Sequence, residues 1–329
     1  MIYDVAIIGG GPAGSACGIN LVRHQMDCII LEKRTELKGK VCGDGLSSHC
    51  LWVLDKLGID LNELMKIGGK VVSKNITSNF GRLEQRYYEE KKGYKNVAMG
   101  LSRDIFDEYL MKIAIKEGCI FKNNHEVKKI EFDGDIYVVD EVIKAKKIVL
   151  ACGAIKNKRF GLKIPYDVPV GVSARVKGDC NLAPDAFYFK YNWQFGNGYA
   201  WLFPVGEKTW NYGVWSSNRR HNVKDLFYEV EQRLLATYFL NYRYDRKPKG
   251  AIIGSTKEDI CQSQYACIGD CKYVASFNSG EGISFAIETG VKQAEAIINK
   301  ENQYKIDILT ECGFKGEKKI INMEQIYVG

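Results

Sequence analysis

Three glycines, Gly9, Gly11 and Gly14, stand between a short apolar run, Val5 to Ile8, and a stretch from Ala13 to His24 that reads as a helix. The pattern is G-x-G-x-x-G, and its chemistry is phosphate binding. Gly9 allows the tight turn, Gly11 lets backbone approach a pyrophosphate, and Gly14 lets the helix pack closely on the strand. With Pro12 and Ala13, the helix N-terminus offers free N–H groups and a positive dipole end to the phosphates. A second apolar run, Cys28 to Leu31, ends at Glu32, followed by Lys33. The Glu32 carboxylate can accept hydrogen bonds from a ribose diol. The unit therefore predicts a dinucleotide site; the alternative is a glycine turn in another kind of α/β protein.

Several elements must position this site. After Ile67, Gly68-Gly69 breaks the pattern, and Lys70 to Glu90 reads as short strands rich in β-branched and aromatic residues. Ile105, Phe106, Leu110 and Ile113 fall at helical spacing, predicting a helix over Arg103 to Lys116. Short strands are expected at Val127 to Phe132, Ile136 to Val139 and Val142 to Ala145, then an apolar strand from Lys147 to Ala151. From about Lys158 the character changes. Val168 to Val176, Ala186 to Tyr191, Tyr199 to Phe203 and Trp210 to Trp215 read as an antiparallel sheet dense in aromatics, with a helix over Val223 to Phe239 packed across it. Ala251 to Ile253, Ala266 to Asp270 and a helix over Gly282 to Asn299 return to the nucleotide half. No element is assigned to the polar tail, 301–329.

The chain has 329 residues, of which 46% are hydrophobic, so one large or two smaller domains can bury full cores. No apolar run approaches the roughly 18 to 20 residues that span a bilayer. With a strand at the opening residues, no signal peptide is expected. The 11 cysteines form no C-x-x-C and the 4 histidines are scattered, so reduced thiols, a cytoplasmic setting and no metal site are expected. Net charge is +7. Basic clusters at Lys144, Lys146 and Lys147, at Arg219 and Arg220, and at Arg243, Arg246, Lys247 and Lys249 read as solvated faces. The sharper reading is attraction to an anionic substrate or an acidic membrane surface met peripherally. No nucleic-acid motif accompanies the charge, so no nucleic-acid partner is expected.

Four segments align with one architecture. They are Gly9 to Gly14; Leu101-Ser102-Arg103 with Phe106-Asp107 and Leu110; Ile148 to Ala154, containing Ala151-Cys152-Gly153-Ala154; and Cys267-Ile268-Gly269-Asp270 followed by Asn278-Ser279-Gly280-Glu281-Gly282-Ile283. The third resembles the strand and A-T-G element of two-dinucleotide-fold flavoproteins, and the fourth their second FAD signature, G-D…G-E-G. Lys40-Val41-Cys42-Gly43-Asp44-Gly45-Leu46-Ser47 resembles the K-x-C-G-x-G-L segment of the geranylgeranyl reductase family. Tyr199-Ala200-Trp201-Leu202-Phe203-Pro204 resembles that family's Y-x-W-x-F-P motif. Members carry G-x-G downstream; here Gly213 sits at a fitting distance and Trp215 replaces the second glycine. The family's G-D-A-A is Gly269-Asp270-Cys271-Lys272, the proline before G-E-G is absent, and no large C-terminal substrate element is visible.

The resemblance implies an α/β fold of the para-hydroxybenzoate hydroxylase-like superfamily. A discontinuous FAD domain with a mostly parallel sheet would comprise 1–67, 95–157 and 250–300. An antiparallel substrate domain would comprise 68–94 and 158–249, with 301–329 as a tail. FAD would be held by the opening Gly9–Gly14 turn, by Glu32 and Lys33, and by Lys40, Cys42 and Gly43. Ala151 and Gly153 would join them, with Arg103 neutralising phosphate. Asp270, after Gly269, would hold the ribityl chain. Gly280, Gly282 and Ile283 would present a helix N-terminus that favours anionic reduced flavin.

Three residues are candidates for catalysis. Cys42 would lie beside the isoalloxazine as proton donor or substrate guide, or else is a small residue suited to a tight turn. Tyr199 and Trp201 alternate on a strand and would line an apolar pocket over the flavin, or else are ordinary sheet core. Asp44 is expected to hold its loop, Glu281 to stabilise a helix N-terminus, and Cys267 and Cys271 to be buried thiols. The activity implied is C=C reduction of an apolar, isoprenoid-like substrate. The electron donor is left open among NADPH, NADH and a ferredoxin-like protein. Two alternatives stand beside it: a flavin monooxygenase or halogenase, and a flavin-loaded binding protein without turnover. Against the monooxygenase, W-x-W-x-I-P is absent and Gly153 to Arg159 holds no clear Asp-Gly motif.

Overall fold

A computed structural model describes residues 1–79, 82–88, 96–154, 160–162, 165, 168–217, 221–256 and 265–300. The tail 301–329, Arg219 and Arg220, and the stretch 155–159 compared with the Asp-Gly motif lie outside the described residues.

Helices alternating with strands build a seven-stranded sheet whose central strands are buried toward their C-terminal ends. Strand Ile2–Ile8 pairs in parallel with Cys28–Leu31 on one side and Ile143–Leu150 on the other; Ile120–Lys122 extends the sheet beyond Cys28–Leu31. Val142–Ala145 and Lys147–Ala151, expected as separate strands, form one strand, Ile143–Leu150. Both halves find partners: Ile143–Ala145 pairs antiparallel with Tyr137–Val139, and Val149–Leu150 pairs in parallel with Ala266–Cys267. The expected strand from Val127 begins only at Ile130. The opening helix Pro12–Arg23 and the closing helix Ile283–Ile298 cross on one face, so closely that a Cβ at Gly290 would meet the Ala13 carbonyl oxygen at 2.3 Å. Val5, Ile7, Ile19, Ile30, Ile287 and Ala294 form the core between helices and sheet.

The aromatic segments form a second seven-stranded sheet, ordered Phe239–Ile252, Val170–Cys180, Thr209–Ser216, Tyr199–Gly206, Ala186–Tyr191, Lys74–Asn79 and Arg82–Tyr87. Pairing is antiparallel except between Ala186–Tyr191 and Lys74–Asn79, which run parallel. Strand Phe239–Ile252, unread in the sequence, pairs with Val170–Cys180 up to Ile252, so Ala251 and Ile252 belong here rather than to a return of the nucleotide half at 250. Helix Val223–Tyr238 covers one face, burying Leu226, Phe227 and Leu235. A three-stranded sheet of Gly45–Leu46, Ala98–Gly100 and Lys70–Val72 ties the halves together. Helices Ser48–Lys56 and Leu61–Lys66 also escaped the sequence reading. Their signals were present: Ser47 caps the Cys50 N–H (3.0 Å), and Asp60 caps that of Glu63 (2.9 Å).

Candidate active site

The glycine turn behaves as its spacing demands. Gly9 has φ +117°, and a Cβ there would meet the Ala151 carbonyl oxygen at 2.4 Å; one at Gly14 would meet the Gly9 oxygen at 1.9 Å. Turn, strand and helix are thus in backbone contact, which only hydrogen side chains permit. Gly11 differs, because its Cβ position has nothing within 4 Å. It opens on a cavity of about 1490 Å³, larger than the roughly 300–1,000 Å³ of a typical ligand pocket.

Two helices point their N-termini at this cavity, Pro12–Arg23 from Gly11 and Ile283–Ile298 from Gly282. Neither has a capping side chain or a first-turn acid. The other four described α-helices are capped by Ser47, Asp60, Ser102 and Asn222. First-turn N–H groups need acceptors. Where the protein supplies no capping side chain, water or an anionic or carbonyl-rich ligand can complete the helix. A pyrophosphate at one end and a flavin pyrimidine at the other meet that requirement, and the open space at Gly11 and at Gly153 (φ +77°) admits them. The residues present therefore fit FAD.

Glu32 is 3% exposed on the cavity wall. Its Oε2 accepts from the Gly10 N–H (2.9 Å), and its Oε1 accepts from the Arg34 N–H (3.0 Å) and Nε (2.9 Å). Burial works to raise this carboxyl, yet the Arg34 guanidinium with the Gly10 and Arg34 N–H groups holds it below the ordinary carboxylate value. The carboxylate thereby braces the glycine turn. Lys33, Ala151 and Gly153 line the same wall, and Asp270 reaches it opposite Lys40, whose Nζ lies 3.5 Å from Asp270 Oδ2. Gly14 and Gly269 stay behind the wall as packing residues. The buried Cys271 places its Sγ 3.6 Å from that of Cys152 on the wall, and Cys267 is buried too.

The loop carrying Cys42 is held from beneath. The Cys42 carbonyl accepts from Asn211 Nδ2 (2.8 Å), Ser173 Oγ (3.2 Å) and Arg246 Nη2 (3.2 Å). Asp44, fully buried with φ +60°, accepts from Asn211 Nδ2 (2.6 Å), the Arg103 N–H (3.2 Å) and Arg175 Nη1 (3.5 Å). Burial pushes its carboxyl above the ordinary value against the pull of Arg246, Arg175 and the Asn211 amide. Arg175 also reaches Ser102, Asp104 (2.8 Å) and Asp245. Arg103 borders the cavity, but its guanidinium is forked onto Asp107 (2.5 and 2.8 Å) and engages the Cys42 side chain. Part of its charge is thereby engaged by Asp107 inside the protein.

Aromatic side chains form the roof. Trp201, Phe203, Tyr199, Phe189, Phe187 and Trp215 pack mostly edge-on or tilted, with ring centroids 4.1–6.3 Å apart. The Cys42 loop lies flat against them: a Cβ at Gly43 would meet Trp201 Nε1 at 3.2 Å, and one at Gly45 would meet the Phe203 ring at 3.2 Å. Trp201 donates from Nε1 to Asn211 Oδ1 (2.9 Å), and the Tyr199 hydroxyl donates to the Ser279 carbonyl (2.8 Å). Burial pushes the Tyr199 phenol well up, so it stays neutral. Trp215 lies against Gly280. Glu281 also lines the cavity, accepting from the hydroxyls of Ser47 and Ser284.

Cys42, Tyr199 and Trp201 therefore share one cavity with Gly9, Gly11, Pro12, Ala13, Glu32, Lys40, Gly43, Asp270, Gly280, Gly282 and Ile283. Sequence reasoning missed Asn211, Ser173 and Arg175, and counted Arg246 only as surface charge. The one available signal was polar residues within apolar strand patterns.

Comparison with known proteins follows this geometry. A family profile described as "FAD binding domain" matches residues 2–144. The digeranylgeranylglycerophospholipid reductase of Thermoplasma acidophilum is 27% identical, covering 97% of this chain and 83% of that protein. A solved geranylgeranyl bacteriochlorophyll reductase-like protein from the same organism superposes with a TM-score of 0.75 at 22% identity, over 97% of this chain and 84% of its own. A flavin-dependent brominase superposes with a TM-score of 0.70 at 19% identity, over 91% and 79%. At those identities the two structures establish the fold.

Proposed function

We propose that this chain, whose residues 2–144 match an FAD binding domain and which is similar to geranylgeranyl reductases, reduces carbon–carbon double bonds of an apolar, isoprenoid-like substrate. The observation that carries this reading is the meeting, in one cavity, of two uncapped helix ends, a half-buried thiol and an aromatic roof. When bound in its reduced form, the flavin supplies a hydride. The chain supplies the rest. Gly11 and Gly282 begin the helices that take the cofactor's anionic and carbonyl groups. Trp201, Phe203 and Phe189 enclose an alkene and exclude water, which favours an apolar substrate over a polar one. The Cys42 thiol is the preferred proton source. The Tyr199 hydroxyl already donates to the Ser279 carbonyl, and burial holds the proton on the phenol oxygen.

The test is anaerobic. Flavin-loaded protein is photoreduced and mixed with a polyprenyl alcohol, and the product mass is read. A gain of two hydrogens per saturated bond with flavin reoxidation supports the reading. No saturation, with substrate-dependent oxygen uptake once air is admitted, replaces it with a monooxygenase or halogenase. No substrate-dependent rate under either condition leaves a binding protein. Donor choice is part of the proposal: NADPH, NADH and a ferredoxin-like protein are compared by their rates of flavin reduction. So is peripheral membrane contact, supported by exposed Leu240, Tyr242 and Tyr244 beside Arg243 and read by sedimentation with acidic vesicles.

A further inference from the structure

Asn211 is fully buried and does not reach the cavity wall, yet both ends of its amide are used by groups that do. Its Oδ1 accepts from Trp201 Nε1 at 2.9 Å; its Nδ2 donates to the Cys42 carbonyl at 2.8 Å and to Asp44 Oδ2 at 2.6 Å. The partners fix the amide's orientation. An indole N–H can only donate, and a carbonyl and a carboxylate can only accept, so a flipped amide would lose all three bonds. Residue 211 lies on strand Thr209–Ser216, and Trp201 on its neighbour Tyr199–Gly206. The Cys42 loop arrives from the other half of the molecule, 169 residues away in sequence.

We propose that Asn211 is a positioning residue that couples the Cys42 loop to the Trp201 ring and so sets the slot in which the substrate's reacting bond lies. The proposal rests on the reading of the cavity given above. Ser173 and Arg246 add two more donors to the Cys42 carbonyl, but neither is bonded to Trp201. Asn211 bonds both walls of the slot. The Gly43 backbone lies against the same indole nitrogen, leaving no slack between loop and ring. A shift of the amide therefore moves thiol and indole together.

The test uses flavin-loaded protein and reads alkylation of Cys42 by iodoacetamide, located by peptide mass spectrometry, so it is independent of which reaction the protein runs. Asn211→Leu loses three hydrogen bonds, of which the one to the Cys42 carbonyl sets the scale: Cys42 alkylation is expected to speed up about tenfold, with FAD affinity changed by less than about threefold. Trp201→Phe removes the indole donor together with part of the ring and frees the amide, and the double variant separates the two effects. Trp201→Phe is expected to raise the same rate by itself, and the double variant is expected to fall short of the product of the two effects. Equal Cys42 rates in wild type and Trp201→Phe overturn the proposal, as do fully multiplicative effects. Should Asn211→Leu fail to fold, Asn211→Ala takes its place in the same cycle with Trp201→Phe. On alkene turnover, a positioning role predicts a fall in kcat larger than the rise in KM; a uniform loss of folded protein would leave both unchanged per bound flavin.

Discussion

At the nucleotide end of the cavity the ligand-facing surface is mostly backbone: the turn at Gly9, the helix beginning at Gly11, and the helix beginning at Gly282. At the aromatic end it is side chains: the Trp201, Phe203 and Phe189 rings, with the Cys42 loop pressed against the roof. The first end is held by close approach of neighbouring segments. The second is held by a buried polar network joining residues as far apart as Lys40 and Arg246. A backbone site tolerates little change in side-chain size. A network site tolerates size but not the loss of a partner.

The network should therefore suffer most from a single deletion. Asp44→Ala strips a fully buried acceptor from Asn211, the Arg103 N–H and Arg175, and should cost about 4 kcal/mol of stability, as breaking buried ionic networks does. Asp44→Asn, which keeps shape and tolerance of positive φ, should cost about half of that. Urea unfolding of both variants measures the difference, and equal small losses would mean that the aromatic end is held by packing alone.

Gly9→Val attacks the other end. The new side chain meets the Ala151 carbonyl and must adopt φ +117°. Strain plus overpacking should cost about 3 kcal/mol. Bound flavin, read by absorbance after gel filtration, should be lost in the same variant, whereas Asp44→Asn should retain it. Flavin retention in Gly9→Val would break the contrast.

The two ends also differ in legibility. Gly9, Gly11, Gly14 and Glu32 lie within one short stretch, so their joint purpose shows in spacing alone. Glu32 nonetheless braces the turn through the Gly10 N–H, a contact that spacing did not reveal. The aromatic strands were legible from their composition, and Trp201 with Tyr199 from alternation. Asn211 and Arg175 were not, because their partners are 167 and 131 residues away and nothing local marks the pairing. The Asp107 partner of Arg103 went unread too. An arginine beginning a helix suggests phosphate, and Asp107, one turn on, takes its fork from within the protein. The long strand Phe239–Ile252 was hidden by its charge, since an edge strand with one buried partner carries lysines and arginines at little cost.

A chemical test sharpens the division further. Cys42→Ala removes a thiol whose loop is held through its carbonyl, so the fold and bound flavin should persist. Alkene turnover should fall about 100-fold, equivalent to about 2.7 kcal/mol of barrier, the low end for a lost general acid. Cys42→Ser should recover part of it. Stopped-flow reoxidation of reduced flavin by the alkene reads the step directly. Undiminished rates in Cys42→Ala would transfer the proton to Tyr199 or water.

The smallest effect concerns acid, and its sign differs between the two ends. The Glu32 carboxyl is held below its ordinary value of 4.5, so its contribution to stability is complete above pH 4.5 and is withdrawn as pH falls through the folded-state value. Asp44 is raised above its ordinary 3.8, so its contribution is complete below pH 3.8 and is lost as pH rises through the folded-state value. Acid thus loosens the glycine turn while relieving the charge buried under the Cys42 loop. Glu32→Gln should cost about 1 kcal/mol at neutral pH and flatten the fall in stability below pH 4.5. Asp44→Asn should steepen the acid-side fall just above pH 3.8, where the wild-type carboxyl gains by taking up its proton. Urea midpoints collected from pH 3 to 7 distinguish the two. Parallel curves for both variants would mean that the two ends of the cavity share one electrostatic response and unfold as a single charged unit.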